Sequence, residues 1–220
     1  MLKRKLRSFL RRLAGLPPAA VNCWEHYGQY IRIDPTVIID PCATLKIFNL
    51  PVPPRVCLEI GEGSHIFSSF ALLRPEATIR IGRNCQLGAS QFVCADSIEI
   101  GDDVILAWGG TIIDSDNHSI YWTDRQYDVA RCREDYVHTN GQDMARSHDW
   151  NKAGISPVKI GNKVWIGFNT IVLKGVTIGE GAIIGAGSVV RCNVLSWHIA
   201  LGNPSRELRA IPETRSNGKT

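Results

Sequence analysis

The sequence predicts an all-β solenoid, a coil of short strands wound around one axis and interrupted once by a long inserted loop. Three observations predict it. Between Val158 and Val190 an aliphatic residue returns at every sixth position, at Ile160, Ile166, Val172, Ile178, Ile184 and Val190. Ile160, Ile166, Ile178 and Ile184 are each followed directly by glycine. The same spacing recurs upstream, in Ile33, Ile39 and Leu45, in Ile60, Ile66 and Leu72, in Ile81, Leu87 and Val93, and in Ile100, Leu106 and Ile112. A helix face repeats about every 3.6 residues and a strand every two, so this period fits neither. It fits a triangular coil whose flanks each send one aliphatic side chain into a shared core.

Taken in order, residues 1–13 (MLKRKLRSFLRRL) place Leu2, Leu6, Phe9 or Leu10, and Leu13 along one helical stripe, surrounded by six basic residues and no acid. Such a segment reads either as a helix attracted to anionic lipid or as one that caps the solenoid or packs on a neighbouring subunit. The apolar stretch after Arg12 is too short for a secretory signal, and Pro17 and Pro18 stop the helix. Three hexads make one coil, so four coils precede residue 113 and two follow residue 157. Glycine after Ile160, Ile166, Ile178 and Ile184 is expected to supply corner angles that a β-carbon forbids. Loops such as 49–56, with three prolines, bulge from the corners. Residues Trp197 to Ile211 close the far end, finishing in a short helix from about Ser205. The organisation expected is a basic segment 1–30, a β-helix domain 31–211 containing an inserted lid 113–157, and a flexible tail 212–220.

Composition narrows the function. No apolar run approaches the length of a membrane span, and mean hydropathy is −0.06. The net charge of +4 is the balance of +6 in residues 1–13 and about −2 elsewhere, which excludes a nucleic-acid binder by charge. Seven cysteines without a C-x-x-C pair suit a reducing compartment and buried thiols. The expected location is cytoplasmic, with any membrane contact peripheral and made through residues 1–13.

The insertion is rich in polar and aromatic residues, among them Tyr121, Trp122, Tyr127, Tyr136, His148 and Trp150. A loop of this length in a compact solenoid is ordinarily functional, and its aromatic content argues for a folded lid. His118, in TIIDSDNHSI, stands where the regular coils stop. Imidazole has the side-chain pKa closest to neutrality and suits a general base. Asp114 and Asp116 precede it by four and two residues, and either could hold one ring nitrogen and fix the tautomer.

The hexads, the segment VWIGFNTIVLKGVTIGEGAIIGAGSVV and the closing LGNPSRELR resemble the hexapeptide-repeat acyltransferases over about residues 31–211. That group includes galactoside, maltose and xenobiotic acetyltransferases and polysaccharide O-acetyltransferases. The resemblance implies a left-handed parallel β-helix, a homotrimer, and direct acyl transfer from a coenzyme A thioester without a covalent enzyme intermediate. It implies that a histidine on the loop after a coil, here His118, acts as general base. It places the pantetheine arm along Trp165 and Gly167, with Phe168 where a small residue is common, and beside Ala186 and Gly187. Arg191, Arg206 and Arg209 fall where basic residues could neutralise the nucleotide phosphates. Acetyl-CoA is then the donor, and no metal is expected. The insertion would bind the acceptor, with Trp150 stacking on a sugar ring and His148 beside it.

The acceptor expected is a sugar hydroxyl of a cell-surface polysaccharide or its precursor. The alternatives are N-acylation of an amino sugar or small xenobiotic, and a non-catalytic trimeric scaffold. Coils of this kind also occur in zinc enzymes resembling γ-class carbonic anhydrases, but Thr123 occupies the place where their second histidine would follow His118.

Overall fold

A computed structural model describes residues 23–212. The basic stripe of residues 1–13 and nearly all of the tail 212–220 lie outside the described residues. After a short helix α1 (Cys23–His26), the chain coils through three sheets of six, eight and six strands. The result is a left-handed parallel β-helix. Strands of successive coils pair in parallel and in register, so each inward position becomes a column. One column runs Ile33, Ile60, Ile81, Ile100, Ile160 and Ile178. A second runs Ile39, Ile66, Leu87, Leu106, Ile166 and Ile184. Burying each such side chain is worth about 1.5–3 kcal/mol, and the columns are nearly free of polar groups.

The third column departs from the hexads. It runs Leu45, Phe70, Phe92, Ile112, Val172 and Val190. Leu72 is buried but pairs with Ile47 and Cys94, and Val93 faces outward between two inward residues. The cause is corner length. Two residues separate Ile66 from the strand Ser69–Leu72, three separate Leu87 from Gln91–Cys94, and four separate Leu106 from Thr111–Ile113. The strands after the two shorter corners have four residues and so turn two side chains inward, in line with the period of two. Phe70 and Phe92 fill the added width, stacked at 5.0 Å between ring centres.

The glycines behave differently from expectation as well. Gly161 has no left-handed φ. A β-carbon there would instead lie 2.7 Å from the backbone nitrogen of Glu180, in the next coil. Close stacking of coils excludes the side chain; corner geometry does not. Gly161→Ala is therefore expected to cost about 1–3 kcal/mol, the usual penalty for overpacking a dense site, read as a lower thermal midpoint. An unchanged midpoint would mean that the coils can separate locally at no cost.

The C-terminal closure is not a helix. Ser205–Ala210 pairs antiparallel with His198–Gly202, with a shift in register at Ile199 and Ala200. The stretch SRELRA has good helix formers, but the last coil offers an open sheet edge, and a hairpin satisfies it. Tertiary pairing outweighs local propensity here.

The insertion leaves the third sheet after Ile113 and re-enters the first at Val158. Its neck is tied by the Asp116 N–H to the Gly154 carbonyl (2.8 Å) and by the Ser156 N–H to that of Asp114 (2.9 Å). It carries two helices, α2 (Trp122–Arg125) and α3 (Asp128–His138). Its far end is pinned to the first coil, where Asn49 donates to the Asp143 carboxylate and the Ala145 carbonyl, both at 3.2 Å. Across the neck the coil stack is unbroken, since Ile98, Glu99 and Ile100 pair directly with Val158, Lys159 and Ile160. Among the described residues no helix is long and apolar enough to cross a membrane.

Candidate active site

His118 sits just beyond the neck, where Asn117 takes a left-handed φ of 61°. Its backbone donates to the Asp116 carbonyl at 2.7 Å, which fixes the turn. The imidazole reaches out, its side chain 59% exposed, and Nδ1 lies 2.8 Å from Asp128 Oδ2. Asp128 opens helix α3 and is buried, only 8% exposed. Neither aspartate favoured by the sequence holds the ring. Asp116 pairs with Lys174 at 3.1 Å. Asp114 is fully buried and accepts from the backbone N–H groups of Ala95 (2.7 Å) and Asp96 (2.8 Å). Burial pushes its carboxyl up, and those two hydrogen bonds work against the shift. Asp114 thus ties one coil to the next.

Helix α3 builds the rest. Asp128 and Asp135 are seven residues apart, about two turns, so they share one face. That face is turned inward: both carboxylates are buried. Asp135 accepts from the Ser147 N–H at 2.7 Å and its hydroxyl at 2.9 Å. This pins the residue directly before His148. The His148 ring meets His118 edge to face at 5.6 Å and Trp150 at 4.4 Å. Burial pushes the His148 imidazole down and so favours the neutral ring, opposed by the nearby Asp128 carboxylate. His148 Nε2 and Trp150 Nε1 are both shielded and have no hydrogen-bond partner.

These rings line a cavity of about 180 Å³ together with Met144, Cys132 and Arg131. It admits the reacting end of an acceptor rather than a whole oligosaccharide. A larger hollow of about 630 Å³ lies on the outside of the first sheet over Arg80, Glu99 and Lys159. There the charges pair with one another at 3.6 and 3.7 Å, and no buried titratable group faces the hollow. The buried titratable groups outside the coils, Asp128 and Asp135, lie under the insertion.

Of the residues expected at the site, the structure gathers His118, His148 and Trp150. The expected donor residues stand elsewhere on the chain. Trp165 faces outward on the second sheet, 52% exposed. Gly167, Ala186 and Gly187 form the corner that follows it, a whole strand of the third sheet away from the corner of His118. Gly187 has a φ of +71°, so the turn itself calls for glycine. Phe168 stacks on Trp108 at 5.9 Å. Arg191 follows the strand Val189–Val190 on His118's own corner, two coils further on. Arg206 and Arg209 are exposed on the final hairpin strand.

Asp128 and Asp135 escape a reading based on neighbours in sequence, because they act from a helix ten and more residues beyond His118. The spacing in DVARCREDYVH puts two acids on one helix face, but nothing in it points to His118. The other aromatics of the insertion build no inner core. Tyr121, Trp122, Tyr127 and Tyr136 are all more than half exposed.

Comparison with known proteins agrees with this architecture. Residues 157–192 match the family described as bacterial transferase hexapeptide (six repeats), and residues 78–114 match the hexapeptide repeat of succinyl-transferase. A protein of Mycobacterium tuberculosis named as an acetyltransferase is 31% identical over 158 residues, 71% of this chain. The chain spans only 45% of that relative's length. Among solved structures, the polysialic-acid-specific acetyltransferase NeuO superposes with a TM-score of 0.61 at 24% identity, covering 86% of this chain and 76% of its own. The N-acyltransferase AntD from Bacillus cereus, solved with dTDP and 3-hydroxybutyryl-CoA, gives 0.59 at 19% identity, covering 84% and 85%. The chain is a hexapeptide-repeat protein with the left-handed parallel β-helix of the hexapeptide-repeat acyltransferases.

Proposed function

We propose that this protein transfers an acetyl group from acetyl-CoA to a hydroxyl of a saccharide, with His118 as general base. The observation that carries the reading is the pair His118–Asp128 at the mouth of a cavity roofed by the insertion. Asp128 holds the proton on Nδ1, which leaves the Nε2 lone pair free for the acceptor. The acceptor oxygen attacks the thioester carbonyl carbon as its proton passes to Nε2. The tetrahedral intermediate then expels the coenzyme A thiolate, which takes the proton back from the imidazolium. Asp128 stabilises that imidazolium, and its burial strengthens the effect.

A saccharide fits the lining, since the His148 and Trp150 rings offer an apolar wall on which a sugar face can stack. Trp165, Gly167, Ala186 and Gly187, expected along the pantetheine arm, lie across the third sheet from His118, so the reading includes a homotrimer in which a neighbour brings its groove to this corner. The exposed side chains Ile105, Trp108, Trp165 and Phe168 on the second sheet and its corner supply an apolar face for that contact. The +6 segment 1–13 would hold the trimer against an anionic membrane surface on the cytoplasmic side. N-acylation of an amino sugar is the second reading, favoured by the likeness to AntD.

Incubation with acetyl-CoA and a panel of oligosaccharides, nucleotide sugars and amino sugars, followed by thiol release, tests the proposal. Trp150→Ala should raise the acceptor KM, a loss of about 1–3 kcal/mol in kcat/KM, and leave the acetyl-CoA KM in place. The active species should sediment near three times 24.4 kDa. Turnover of amines alone, a shift confined to the acetyl-CoA KM, or an active monomer would each overturn the corresponding part.

A further inference from the structure

The site contains an arrangement that acyl transfer does not require. His118, Asp128 and His148 each bring one ligand atom within 4.8 Å of the other two. His118 Nδ1 and Asp128 Oδ2 are already 2.8 Å apart. His148 Nε2 is cut off from solvent and makes no hydrogen bond. An unpaired buried nitrogen is costly to the fold, and something that accepts its lone pair would relieve the cost.

Two imidazoles and a carboxylate are the donors that zinc-class ions take, at about 2.0–2.2 Å per bond. Calcium and magnesium prefer all-oxygen shells and are poorly served by two nitrogens. Around a tetrahedral ion with such bonds the donor atoms lie about 3.3–3.6 Å apart. Small rotations of side chains bring the cluster to that spacing from distances no greater than 4.8 Å. We propose that His118, Asp128 and His148 form a binding site for one zinc-class divalent ion, with the remaining coordination position open to the cavity. The three are spaced ten and twenty residues apart, which matches no short metal motif and conceals the site from sequence inspection.

The effect on activity rests on the function proposed above. An ion on His118 Nε2 takes the lone pair that the base needs. An ion on Nδ1 displaces the Asp128 hydrogen bond and leaves the ring proton on Nε2. In both cases the base is lost, so the ion acts as an inhibitor.

The test is a calorimetric titration of the chelator-treated full chain with zinc ions, with cobalt absorption as a second probe of tetrahedral nitrogen and oxygen ligation. One ion per chain is expected. His148→Ala and Asp128→Asn should each weaken binding at least about tenfold. Surface thiols such as Cys42 and Cys192 can also take zinc, so dependence on the variants is the deciding result. Circular dichroism and the milder His148→Gln variant control for loss of fold. Absent binding, or binding indifferent to His148 and Asp128, overturns the site even if His118 proves essential for turnover. Binding that follows the variants while turnover continues at full rate keeps the site and instead removes His118 as the base.

Discussion

His118→Ala is expected to lower acyl transfer by roughly 10²–10⁴-fold, the usual worth of a general base, and to leave the thermal midpoint nearly unchanged. Both halves follow from the environment of the ring. It projects from an irregular loop with most of its side chain exposed, so truncation opens no cavity in the core. It makes one side-chain hydrogen bond, to Asp128. Without it, Asp128 still has Arg131 at 3.8 Å, so the carboxylate is not stranded. Thiol release under saturating donor, paired with a melting curve, reads both quantities. A folded variant with full activity would remove His118 from the mechanism and return the site to plain binding.

The second large effect belongs to Asp128. Asp128→Asn is expected to lower kcat about 10- to 100-fold, because a hydrogen bond to a charged group is worth about 1.5–3 kcal/mol and is strongest once the imidazole is charged. The acetyl-CoA KM should scarcely change. Asp116→Asn separates the structural assignment from the one suggested by proximity in sequence. Its carboxylate faces Lys174, so its loss should cost no more than an exposed ion pair, under about 1 kcal/mol. A larger kinetic defect in Asp116→Asn than in Asp128→Asn would restore Asp116 as the partner of His118.

This contrast shows what the sequence made legible. The coils could be read because each inward residue repeats at fixed spacing and touches its own kind in the next turn, as Ile160 touches Ile178. The reading faltered where corners changed length: Val93 faces out and Phe92 faces in. It faltered again where an open edge recruited Ser205–Ala210 into a strand. In the site, His118 could be found because it is a titratable group at the end of a regular pattern. Its true partner could not, because the approach of helix α3 to the loop depends on tertiary anchors. Those anchors are Asp135 on Ser147 and Asn49 on Asp143, pairs that no local spacing announces.

The unbroken stacking of Ile98–Ile100 on Val158–Ile160 has a consequence for how such a protein can diversify. The coils on either side of the insertion meet as if residues 117–153, beyond its neck, were not there. The insertion touches the solenoid through its neck and a few distant polar contacts, so its sequence can drift, lengthen or be exchanged without disturbing a rung. The cost of closing a flexible loop grows only with the logarithm of its length, about 0.6 kcal/mol for each doubling. The solenoid would then be a fixed chassis for the donor, and the insertion a replaceable cartridge that brings its own acid partner for the histidine. Descendants of one β-helix could in this way reach new acceptors by changing a single contiguous stretch of the gene.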